Sequence, residues 1–192
     1  SLKRILESGR LKSQFEKGIG SIGGLEDTDV RKLVENQIMS VGFDIDPTKR
    51  PIYGYMRNKP FGLGDDDAVD MYGDIAIKMK PAVKERSTFT MGDSLSTSHW
   101  GNDVNHHVVP VNAPTHHNIF VHQGHSDNPL EVLRSGKIEK SWDYAEAQIH
   151  GGSDLSDFEH IYFPPDMAPD AETVLLLKQH NIPFTVLTKA DL

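Results

Sequence analysis

"RPIYGYM", residues 50–56, is the stretch on which the fold turns. Ile52 is β-branched and Tyr53 and Tyr55 are aromatic, a composition that favours an extended chain. Pro51 fixes the backbone at the entry to the run. Gly54 in its middle carries no side chain, so another group can approach the backbone there. Arg50 and Arg57 bracket the run. Arg50 reads as an exposed, fork-shaped cation at the edge of a strand, suited to a pyrophosphate or a carboxylate.

Upstream of this run the sequence is helical in character. Leu2, Ile5 and Leu6 stand at helical spacing, and Leu11 and Phe15 are four apart, with Gly9 between the two groups. "GIGSIGG", 18–24, breaks any helix and reads as a loop; it lacks the lysine and the preceding strand of a phosphate loop. "DTDVRKLVENQIM", 27–39, has acidic residues at its start and apolar Val30, Leu33, Val34 and Ile38, which predicts a short amphipathic helix.

Downstream, short extended runs dominate. "YGDIAIKMK", 72–80, alternates like a half-buried strand. "ERSTFTMGDS", 85–94, reads as a strand entering a turn, and "HNIFVHQ", 117–123, as another strand. "PLEVLRSGK", 129–137, predicts a short helix stopped at Gly136. "YAEAQIHGG", 144–152, ends in a glycine pair and "FEHIYFPP", 158–165, in prolines. "DAETVLLLKQHNI", 170–182, predicts a helix with Asp170 as N-cap, and "PFTVLT", 183–188, the last strand. Helices first and strands afterwards predict an α+β fold rather than a doubly wound parallel sheet. The expected organisation is one domain over 1–192, with a helical N-terminal lobe at 1–45 and a β-rich core at 46–192.

The 192-residue chain is 37% hydrophobic and 25% charged, ordinary for a globular protein. Its net charge of −8 argues against wrapping nucleic acid, because phosphate contacts need clustered Lys and Arg. With no cysteine, disulfides, thiolate catalysis and cysteine-ligated zinc are excluded. No run of about 18 apolar residues is present, so no membrane helix is expected. No signal peptide is visible. The chain starts "SLKRIL" without Met, so its natural N-terminus is expected to lie upstream.

Three groups of residues could carry chemistry. Arg50, the "STFT" of 87–90 and Glu146 each sit in a strand-like segment. Together they suit an anionic ligand with a flat ring and a bond that breaks with cationic character: a guanidinium for the anion, hydroxyls beside an aromatic face, and a carboxylate for the developing charge. The bland alternative is an exposed Arg, a core Phe and a solvated Glu. The second group is His106, His107, His116, His117, His122 and His125, within "HHVVPVNAPTHHNIFVHQGH". Histidine is the commonest metal ligand, but the spacing matches no known metal motif, and "HHVVPVNAPTHH" reads as a loop between strands. The third is "GLGDDD", 62–67, an acidic loop without the closing Glu of a calcium-binding loop.

Taken in order, "GRLKSQFEKGIG" (9–20), "RPIYGYM" (50–56), "RSTFTMGDS" (86–94) and "EAQIHGG" (146–152) resemble an uncharacterised bacterial family with the same order of blocks. That arrangement is similar to the ADP-ribosyltransferase superfamily, and in particular to the CteC-type bacterial effectors that ADP-ribosylate ubiquitin on threonine. The resemblance runs from about residue 9 to the final strand. It implies a mainly antiparallel split β-sandwich around NAD, no metal, and transfer of ADP-ribose from NAD to a protein acceptor, with ubiquitin as the expected partner. It implies a secreted effector acting in the host cytoplasm.

Residue by residue, it implies that Arg50 holds the NAD diphosphate and that Tyr53 and Gly54 line the nicotinamide side. Ser87, Thr88, Phe89 and Thr90 match the Ser/Thr strand, with Phe89 stacked on the nicotinamide, and Glu146 matches the catalytic acid. The superfamily often places its catalytic Glu second in a pair of acidic or Gln/Glu positions. Here Glu146 precedes Gln148, the inverted order, and Asp93 is the next candidate for the acid. The rival readings are a histidine-ligated, metal-dependent hydrolase and a non-catalytic NAD- or protein-binding module.

Overall fold

A computed structural model describes residues 2–16, 28–56, 75–91, 94, 108–110 and 145–191. The expected loops at 18–24 and 62–67, the strand at 117–123, the helix at 129–137, all six clustered histidines, Arg57 and Asp93 lie outside the described residues. Helix α1 (Leu2–Ser8) stops where Gly9 adopts φ 77°, a left-handed conformation that glycine reaches without steric cost. The chain then forms β1 (Arg10–Leu11) instead of continuing the helix. Helix α2 (Thr28–Met39) closes through Ser40 at φ 57°, with the Val41 N–H donating to the Glu35 carbonyl at 3.0 Å.

The remaining strands are β2 (Ile52–Met56), β3 (Ala76–Met79), β4 (Ser87–Met91), β5 (Val108–Pro110), β6 (Ala145–Ile149), β7 (Ser153–Asp154), β8 (Phe158–Phe163) and β9 (Phe184–Val186). Helix α3 (Ala171–Gln179) lies between β8 and β9, and the Asp170 side chain accepts from the Thr173 N–H at its start, the expected cap. Strand β8 ends at Phe163, before the proline pair.

The architecture is α+β, with several small and mainly antiparallel sheets. Four strands pair in the order β2-β6-β4-β5, all antiparallel. Three pair as β3-β8-β9, of which β8 and β9 run parallel. A two-stranded ribbon joins β1 to β7.

One expectation changes. Val108–Pro110, inside the stretch read as a loop, pairs with Thr88–Thr90 and forms β5; two successive valines favour the extended chain there. Helix α1 of the N-terminal lobe packs on the C-terminal part of the chain. Leu2 and Leu6 of α1 are buried with Phe158, Ile161 and Phe163 of β8 and with Leu177 and Ile182. A seven-residue helix cannot hold itself in water, so α1 survives by lending its apolar face to the C-terminal core, and β1 pairs with β7 beside it.

Candidate functional site

The four-stranded sheet brings together three blocks that are far apart in sequence. β6 lies between β2 and β4, and the registers agree on both sides. Gln148 stands between Tyr53 and Thr88, and Glu146 between Tyr55 and Thr90. Successive residues of a strand face opposite ways. Tyr53, Thr88 and Gln148 therefore share a face with the row containing Glu146, while Gly54, Ala147 and Phe89 belong to the other face, with Ile52, Ile149 and Ser87. That second face meets an apolar cluster of Ile52, Ile149 and Val83. The first is covered by α2, whose Val30, Val34 and Ile38 pack with Met39, Val41 and Tyr53.

Burial under α2 makes the polar residues of this face hold one another. Glu146 is 4% exposed, and Gln148 and Ser94 are fully buried. A carboxylate only accepts hydrogen bonds, which settles the direction of each contact. Gln148 turns its Nε2 to Glu146 Oε1 at 2.7 Å, so its Oε1 must accept, and Thr88 Oγ1 donates to it at 2.8 Å. With its proton spent, Thr88 accepts from His150 Nε2, 2.8 Å away. On the other side Ser94 Oγ donates to Glu146 Oε1 and accepts from Arg31 Nη1 at 2.9 Å. Burial and the Arg86 guanidinium hold the His150 imidazole below its ordinary pKa, so it serves as a neutral donor.

A second buried pair adjoins this row. Arg50 Nη1 donates to Glu35 Oε2 at 2.6 Å, and the Tyr53 hydroxyl donates to Glu35 Oε1 at 2.8 Å. Burial pushes the Glu35 carboxyl above its ordinary pKa, against the pull of Tyr53 and Arg50. Burial likewise raises the Tyr53 phenol, which stays protonated and able to donate. The Arg31 guanidinium lies 4.4 Å over the Tyr53 ring and links the two groups.

The structure corrects the exposed Arg50. It is 1% exposed. Beside Glu35 it donates Nη2 to the carbonyls of Gly42 (3.2 Å) and Phe43 (2.6 Å), and its guanidinium lies 4.4 Å over the Phe15 ring. The backbone before it is pinned. Asp46 caps the 3-10 turn Pro47–Lys49 through the Thr48 N–H, and Ser13 Oγ donates to the Pro47 carbonyl at 2.6 Å. Gly152, at φ 79°, lies so close that a Cβ there would stand 2.5 Å from the Thr48 carbonyl oxygen. Arg50 forms part of the wall of an open cleft of about 320 Å³ with Phe15, Phe43 and Ile45.

The other predicted residues divide between the two faces. Phe89 is a core residue, 2% exposed, across the sheet from Glu146 and Gln148, so a ring stacked on it would not lie beside the carboxylate. Ser87 donates to the Val83 carbonyl at 2.8 Å, a structural contact. Thr90 is in register with Glu146. Gly54 has open space where a Cβ would stand, among the described residues. Glu146 is buried and hydrogen-bonded rather than solvated. Sequence reading missed Arg31, Glu35, Ser94 and His150. The one available signal was charge on the apolar-periodic helix 27–39, where Arg31 and Glu35 adjoin the buried Val34.

No family model matches the chain. It is similar to the Gene 2 protein of Mycobacterium phage L5, with 32% identity over 177 residues, and to the Gene 2 protein of Mycobacterium phage D29, with 30% identity over 173 residues. These alignments cover 86% and 85% of this chain and 62% of each relative. The chain therefore spans only part of the length of the curated relatives it matches.

Proposed function

We propose that the protein is a mono-ADP-ribosyltransferase that transfers ADP-ribose from NAD to a protein acceptor. The observation that carries this reading is the shared register of β2, β6 and β4. Three of the four blocks of the ADP-ribosyltransferase resemblance become adjacent strands, with Glu146 and Gln148 on the central one. In the reaction the bond between ribose C1 and the nicotinamide nitrogen breaks, and its electron pair leaves with nicotinamide. An acceptor hydroxyl attacks C1 of the oxocarbenium-like ribose and loses its proton. Glu146 stabilises the positive charge or the ribose hydroxyl beside it. Gln148 and Thr88 set its direction, and Tyr53 lines the same face. No step needs a metal.

The acceptor expected from the resemblance is a threonine of ubiquitin, reached by a secreted effector in a host cell. Similarity to phage proteins makes a bacterial acceptor the natural comparison. The test begins with NAD affinity by calorimetry, since Glu146 is buried. Labelled NAD is then incubated with the protein and either a eukaryotic or a bacterial lysate. Glu146→Gln should keep NAD binding and lower turnover by roughly 10²–10³-fold. Full transfer by that variant would move the catalytic acid elsewhere, with Asp93 next. Binding without turnover would favour the non-catalytic module. The histidine-metal reading concerns residues outside those described; stoichiometric zinc by elemental analysis would support it.

A further inference from the structure

We infer that Arg31 and Ser94 are positioning residues for Glu146, holding its carboxylate from the helix side while Gln148, Thr88 and His150 hold it from the sheet side. The inference rests on the transferase reading only in taking Glu146 as the working acid. Each hydrogen bond of these two lines points toward Glu146. The direction runs from Arg31 to Ser94 to Glu146 on one side, and from His150 through Thr88 and Gln148 on the other. Both lines end on the same oxygen, Oε1, which favours one rotamer.

The two arginines divide the work. Arg50 serves Glu35 and two loop carbonyls and is committed to the scaffold. Arg31 is 8% exposed, has its guanidinium 4.4 Å over the Tyr53 ring, and reaches Glu146 through the Ser94 hydroxyl. Its Nε–H is buried without a partner among the described residues. The charged or titratable groups near Glu146 among the described residues are Arg31 and Glu35 on α2, Tyr53 and Tyr55 on β2, and His150 just after β6. Glu35 is met by Arg50 and Tyr53, which leaves Arg31 to polarise Ser94 toward Glu146. Through Arg31, helix α2 becomes part of the site, one hydroxyl away from Glu146.

The test uses Ser94→Ala, Ser94→Thr and Arg31→Lys in the full chain. Ser94→Ala should lower kcat for NAD consumption by about 10²-fold, the cost of a misplaced catalytic group, with little change in KM, and should also lower the melting temperature, because Arg31 and Glu146 each lose a buried partner. Ser94→Thr restores the hydroxyl and should recover most of the rate. Arg31→Lys should fall between the two. A merely structural role would lower melting temperature while leaving kcat of the folded protein unchanged, and would overturn the inference. The carboxyl of Glu146 is followed in parallel by NMR of carbon-labelled glutamate, its signal assigned by its loss in Glu146→Gln. Ser94→Ala should move its titration to higher pH, because a hydrogen bond to the charged form is gone. If the wild-type protein consumes no NAD, the transferase reading fails, and the NMR titration alone decides the positioning role. An unchanged titration in Ser94→Ala would overturn it whatever the activity.

Discussion

The two larger sheets of this protein solve burial in opposite ways. Around β8 the interior is apolar: Leu2, Leu6, Ile161, Phe163 and Leu177 pack from α1, α3 and the sheet with no charge among them. Between α2 and the four-stranded sheet the interior holds Arg31, Glu35, Arg50, Glu146 and Gln148, each at most 8% exposed. Both regions exclude water, but by different physics. The first gains free energy from every methylene removed from water. The second spends desolvation energy on four charged side chains and offsets it only because nearly every donor finds an acceptor. Such an interior is costly to keep for stability alone. The contrast is why the α2 side of the four-stranded sheet is the candidate functional region, with the β8 sheet beside it.

The largest effect that could break this contrast is expected at Arg50. Arg50→Ala leaves Glu35 as an unpaired buried carboxylate and should cost about 3–5 kcal/mol, read from urea unfolding. Arg50→Met combined with Glu35→Leu should recover much of the loss, because no lone charge remains. Recovery should be incomplete, since the Gly42 and Phe43 carbonyls lose their donor. If Arg50→Ala proves as stable as the wild type, the polar interior is not holding this region together.

In the apolar region the cost should be modest. Ile161→Val removes one buried methylene from a fully packed site and should cost about 0.5–1.5 kcal/mol, with NAD affinity unchanged. A parallel loss of NAD affinity would show that the two regions are coupled and that the β8 sheet is part of the site.

Gly54→Val sharpens the division between the faces. A Cβ there meets nothing among the described residues, and a β-branched residue suits a strand, so melting temperature should hold or rise slightly. NAD affinity by calorimetry should fall if a ring lies against the Gly54 backbone. Unchanged affinity would place the ligand wholly on the Glu146 face.

The smallest effect is expected at His150, and its sign is definite. Burial and Arg86 lower its pKa in the folded state. The unfolded chain therefore takes up a proton first as pH falls through about 6.5. The stability that neutral His150 contributes is complete above that pH and is lost as pH drops toward the folded value. Gln can still donate to Thr88 but does not titrate. Between pH 7.5 and 5.5, His150→Gln should show a shallower loss of stability in urea unfolding than the wild type. Equal slopes would mean that His150 is not held neutral.

Local chemistry was enough to determine several of the elements. The β-branched and aromatic run at 52–56, the helical spacing at 27–39, the cap at Asp170 and the prolines after Phe163 each act within a few residues, and each appears where the sequence places it. The pairing of Gln148 with both Tyr53 and Thr88 was decided only by the tertiary structure, because it joins residues 60 or more positions apart that no local pattern links. The same holds for burial. Arg50 reads as an exposed strand-edge cation until Glu35 arrives from another helix to neutralise it, and Phe89 reads as a stacking face until the register turns it away from Glu146. Arg31 and Ser94 could not be picked out at all, since an arginine on a helix and a serine after a strand are ordinary in isolation. A side chain's charge is a property of the residue. Whether that charge is solvated, paired or poised depends on what packs against it, and that is settled only when distant segments meet.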